Sequence, residues 1–121
     1  MSNIIKFSDA RDRRRGKVPR HADVLSFMKR RKPRGTGINY WAVKPSGSYS
    51  RDCETGRALA GEYLSFIGRY PTNGNATLLN SIVRDMAGRR QIGGLEIGFL
   101  RCVNEHAMVA ATTLACLDAR R

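Results

Sequence analysis

Acidic residues are scarce in this chain. Ten Asp and Glu stand against 22 Lys and Arg, which leaves a net charge of +12 on 121 residues. Such a balance excludes a surface built for cationic partners and favours a polyanionic one. Long apolar runs are also missing. Ala107–Leu117 is free of charge but only 11 residues long, whereas a membrane span needs roughly 20. No membrane association is expected. Residues 1–20 hold no apolar stretch longer than Ile4-Ile5, so a secretory signal is not expected and a cytoplasmic location fits best.

Cysteine is sparse and badly spaced for chemistry. Cys53, Cys102 and Cys116 are an odd, scattered set without a Cys-x-x-Cys pair, as befits free thiols in a reducing compartment. With His106 they could be counted as four zinc ligands. Cys102 and His106 share a helix face at i, i+4, but Cys116 lies ten residues past His106, about 15 Å along a helix axis. Zinc ligands sit within about 2.3 Å of the metal, so one site cannot hold both ends. His106 is expected as a core histidine. The second histidine, His21, stands alone in the lead segment, and no Gly-x-Ser-x-Gly nucleophile motif occurs. Gly93–Gly98 has the glycines of a phosphate loop without its Gly-Lys-Ser/Thr ending. These shortages point to a non-enzyme without metal or cofactor.

What the chain does have is charge at one end. Residues 1–35 carry 12 Lys/Arg against three Asp, a net +9, while residues 36–121 carry 10 against seven, a net +3. Two clusters hold most of it: Arg13, Arg14, Arg15 and Lys17, then Lys29, Arg30, Arg31, Lys32 and Arg34, with Arg20 between them. Arginine-rich segments bind phosphates and release counterions without reading base sequence. These ten residues are the expected nucleic-acid contacts, on DNA or RNA. Between the clusters, Val24, Leu25, Phe27 and Met28 form a short apolar group. They predict a two-turn helix within 22–31, closed by Pro33 and Gly35, that either docks on the body or orders on an acidic protein partner.

Residues 1–35 therefore read as a basic segment, largely disordered or partly helical, ahead of a helical domain at 36–121. The domain is mostly α, with about three helices and an extended arm. Ile38, Tyr40, Trp41 and Val43 have strand character, and Lys44-Pro45-Ser46-Gly47 closes them as a turn. With no second strand run in view, this arm is expected to lie across the helices, anchored by the sole tryptophan. Tyr40 and Trp41 could alternatively stack on bases.

Helices are expected at about 52–70, ended by Pro71, and at 75–87, ended by Gly88. The first contains Gly56, Gly61 and Gly68, each costing about 1 kcal/mol in a helix interior, which implies close approach of another backbone. Ile92 is expected to anchor the glycine-rich link that follows. The last helix, 94–117, aligns Leu95, Phe99, Val103, Ala107, Ala110, Leu114 and Leu117 in one stripe. The preceding elements should cover that stripe, and Ala110, Ala111 and Ala115 permit close approach of a second copy in a homodimer. The link and last helix also invite a helix-turn-helix reading, but Leu95, Glu96 and Ile97 are poor groove readers; Arg89 and Arg90 would be the better contacts.

The sequence thus supports a small non-enzymatic accessory or regulatory protein that meets nucleic acid through its Arg/Lys segment. The alternative is an adaptor or inhibitor acting by protein contact, steered by its cations.

Overall fold

A computed structural model of the chain describes residues 25–30, 37–89 and 91–119. Its elements are strands β1 (Lys29–Arg30) and β2 (Ile38–Asn39), then helices α1 (Tyr49–Arg69), α2 (Asn73–Ala76), α3 (Leu78–Ala87) and α4 (Gly94–Ala119). The fold is mostly helical, as expected, with an arm at 40–47 crossing the helices. Among the described residues no helix is long and apolar enough to cross a membrane.

Three expectations for the stretch ahead of the helices are corrected. The stretch expected as helix 22–31 is, over its described part, a turn followed by β1. The arm does find a strand partner: β1 and β2 run antiparallel, with Lys29 opposite Asn39 and Arg30 opposite Ile38. The Ala42 N–H donates to the Phe27 carbonyl at 2.7 Å and extends the pairing toward the core. Finally, the division at 35/36 runs through the folded body, because Leu25, Phe27 and Met28 are buried within it.

Helix α1 starts where Ser48, in extended geometry, accepts the Arg51 N–H on its hydroxyl, a few residues ahead of the expected start at about residue 52. Its buried line is Asp52, Gly56, Ala60, Tyr63 and Phe66, the i, i+3/i+4 spacing of one helix face. This line packs on Gly94, Leu95, Gly98, Phe99 and Cys102 of α4, all buried. The two backbones nearly touch. A Cβ on Gly94 would come 2.7 Å from the Tyr49 carbonyl oxygen, and one on Gly98 would run into the Cys53 carbonyl. From the other side, a Cβ on Gly56 would run into the Leu95 carbonyl. Of the three glycines in α1 only Gly56 meets another backbone; Gly61 and Gly68 face open space.

Phe99, fully buried, is the hub of the core. Its ring lies 5.0 Å from Trp41, 5.7 Å from Phe27 and 5.7 Å from Tyr63, centroid to centroid. Leu78, Ile82 and Met86 of α3 complete the cluster. Ile92, expected as an anchor, is 52% exposed.

The stripe expected along α4 is covered only in its first half. Leu95 and Phe99 are buried and Val103 packs against the core. From His106 to Ala119 every residue is exposed, including Ala107, Ala110, Leu114 and Leu117. The helix outruns the other described elements that pack on it. His106 is correspondingly not a core residue; its Nδ1–H donates to the Cys102 carbonyl one turn back, at 3.0 Å.

Candidate nucleic-acid interface

Of the ten cations expected to contact nucleic acid, the structure describes Lys29 and Arg30. Both are exposed, side by side on β1. Arg13, Arg14, Arg15, Lys17, Arg20, Arg31, Lys32 and Arg34 lie outside the described residues, as does Val24.

The placement of Lys29 and Arg30 follows from what precedes them. Leu25, Phe27 and Met28 are 1–3% exposed, so the chain leaves the core only at Lys29. Ser26 is held to α1 by Glu62, whose carboxylate accepts its backbone N–H at 2.5 Å and its hydroxyl at 2.7 Å. On the returning side, the Tyr40 N–H donates to Asp85 of α3 at 2.8 Å. Two cations thus stand on a ribbon whose root is fixed on both strands. A fixed root lowers the entropy that ordering these two side chains against any rigid partner would cost.

The residues expected to order on a protein partner have a different setting. Leu25, Phe27 and Met28 fill the chain's own core, so their apolar faces are not offered to a partner in this structure. Trp41 is likewise buried and cannot stack on a base, while Tyr40 is partly buried against the core.

Behind the ribbon the arm is clamped by a buried polar group. The Trp41 indole N–H donates to Glu96 Oε2 at 2.6 Å, and the Gly93 N–H donates to Glu96 Oε1 at 2.7 Å. The second bond is half of a capping box, in which a third-position Glu reaches back to the residue before the helix. Arg89 Nη1 lies 3.8 Å from Glu96 Oε2, and its Nη2 donates to the carbonyls of Trp41 and Val43. Arg89, read from sequence as a candidate DNA contact, is therefore engaged in holding the arm; Arg90 lies outside the described residues. The first turn of α4 is buried against α1, with Glu96 only 2% exposed, so it cannot enter a groove as a reading helix.

Among the described residues no three His, Cys, Asp or Glu side chains gather as metal ligands would. Cys102 is buried 4.0 Å from His106 Nδ1, Cys53 is half-buried, and Cys116 is exposed near the far end of α4.

Sequence reasoning missed the ribbon. Lys29-Arg30-Arg31-Lys32 resembles the cationic last turn of a helix, and two-residue strands are too short for alternation to register. The available signal was Pro33 and Gly35, turn residues lying between two short stretches of chain. No protein-family model, curated protein or solved structure matches the chain.

Proposed function

We propose that this chain is a non-enzymatic accessory protein that associates with nucleic acid through its Arg/Lys segment, with Lys29 and Arg30 as the contacts nearest the folded body. The observation that carries the reading is the charge division: +9 on residues 1–35 beside +3 on residues 36–121. Exposure of Lys29 and Arg30 on a rooted ribbon supports it, because the charge nearest the body is presented rather than paired internally. The adaptor reading through Leu25, Phe27 and Met28 is disfavoured by their burial.

The test is salt-titrated binding of the full chain to duplex DNA and to RNA. Deleting residues 1–35 would remove core side chains, so charge reversal is the cleaner variant. Lys29→Glu with Arg30→Glu is expected to weaken binding and flatten the log–log salt slope by roughly 0.9 per lost duplex-phosphate contact. Absence of binding at low salt, or a slope unmoved by reversal of all ten cations, would overturn the reading.

A further inference from the structure

Arg84 stands on α3 beside the root of the ribbon, and a single carboxylate links the two. Asp85 Oδ2 accepts the Tyr40 N–H at 2.8 Å, and Asp85 Oδ1 lies 3.8 Å from Arg84 Nε. Tyr40 follows β2 directly, and β2 pairs with the strand that carries Lys29 and Arg30. The path from Arg84 to β1 thus crosses one carboxylate and one strand. Paired strands lie about 4.8 Å apart, which puts the Arg84 guanidinium on the order of 10–15 Å from the β1 backbone. Duplex nucleic acid carries about one charge per 1.7 Å of axis. A span of that size meets several phosphates at once.

The setting of Arg84 keeps its charge outward. Its side chain is 71% exposed, whereas Asp85 is 10% exposed and holds the arm. Asp85 is the one acidic residue of α3. Glu62, the carboxylate on the other flank of the ribbon, is engaged by the N–H and hydroxyl of Ser26. An exposed guanidinium 3.8 Å from a carboxylate is weakly held, because water screens the pair. A phosphate can therefore take it at small cost. Other described arginines are placed differently. Arg89 is engaged at the clamp, while Arg57 and Arg101 lean on Glu105 in the groove between α1 and α4.

We propose that Arg84 is a phosphate contact, so that the nucleic-acid surface runs from Lys29 and Arg30 across β2 onto the last turn of α3. This contact rests on the reading of the chain as a nucleic-acid binder, and it carries the interface from the Arg/Lys segment onto the helical body. A guanidinium bound to backbone phosphate positions the nucleic acid without reading its bases.

The test is salt-titrated binding of the full chain to duplex DNA of mixed sequence and to RNA, with Arg101→Gln as a matched control. The Arg101 side chain is 78% exposed and also lies 3.8 Å from a carboxylate, but in the groove lined by Tyr49, Arg57 and Ile97. Each substitution removes one charge, so a response to net charge alone would affect both alike. Arg84→Gln is expected to flatten the log–log salt slope on duplex DNA by roughly 0.9 and to weaken binding evenly across base sequences. Arg101→Gln should leave the slope unmoved. Melting curves separate this from a purely structural role: a cation that serves only the dipole at the end of α3 would shift the melt and not the slope. A slope that ignores Arg84→Gln but responds to Lys29→Glu with Arg30→Glu would overturn the contact and leave the nucleic-acid reading standing. Equal shifts for Arg84→Gln and Arg101→Gln would also overturn it. Absence of binding by the full chain at low salt would overturn both.

Discussion

Trp41 and Glu96, 55 residues apart, share a 2.6 Å hydrogen bond with both side chains almost wholly buried, at 1% and 2% exposed. The bond ties the arm to the start of α4 and brings the indole over Phe99. A buried carboxylate is costly unless it is paired and fully bonded. Glu96 meets that condition with two N–H donors and the Arg89 guanidinium. The same four groups therefore set the path of the arm, and through it the position of β2 and the cations on β1.

Removing the carboxylate should be expensive because it strands Arg89 against the arm carbonyls. Glu96→Ala is expected to cost about 3–5 kcal/mol. Trp41→Phe keeps most of the ring packing and loses only the donor, for about 1–3 kcal/mol. Urea unfolding of both variants and of the double variant measures their coupling, which should be non-zero. Additive effects would mean that the bond does not link the arm to α4.

The helix crossing gives a sharper contrast, between glycines that sequence could not rank. Gly98→Ala and Gly56→Ala each place a methyl group into a facing carbonyl. Overpacking of this kind costs about 1–3 kcal/mol or more, since backbone cannot move aside as a side chain can. At Gly61 nothing lies within 4 Å, so Gly61→Ala should gain up to about 1 kcal/mol from helix propensity. Thermal melts that order the three variants differently would refute close backbone contact as the reason for Gly56 and Gly98.

These cases show which parts of the fold the sequence disclosed. Trp41 was legible as an anchor because a lone tryptophan among strand-type residues has few other uses. Helix positions were legible from apolar period and from Pro71 and Gly88. Glu96 was not, since a carboxylate in a first helical turn usually faces solvent and the dipole. Gly56 and Gly61 look alike until the neighbouring helix is in place. The stripe on α4 gave the right face but not its extent, because periodicity says which side is apolar and nothing about how far a partner element reaches. For the candidate interface, the charge block was plain from composition, while its root in Leu25, Phe27 and Met28 depended on long-range packing.

Acid sensitivity should arise at two carboxylates on the helices. Asp52, 5% exposed, accepts the backbone N–H and hydroxyl of Ser46 at 2.9 and 2.7 Å, and these bonds hold its carboxyl below the usual range. Glu105 is held low by the Arg57 guanidinium at 2.8 Å. A carboxyl depressed in the folded state stabilises above its unfolded value, near about 4, and loses that contribution as pH falls through the folded value. Stability should therefore be flat from neutral pH to about 5 and then fall. Ser46→Ala removes the hydroxyl donor, keeps the backbone N–H, and raises the Asp52 carboxyl toward its ordinary range. Its melting temperature should lie below that of the unmodified chain at neutral pH, and the gap should narrow in acid, where Asp52 is protonated in both. Arg57→Gln should open a similar gap that shrinks in high salt, because that ion pair is exposed to screening. The Ser46 gap, which rests on hydrogen bonds to a buried group, should persist in salt. A Ser46→Ala gap that stays constant down to about pH 3 would show that Ser46 acts through the turn and not through the Asp52 carboxylate.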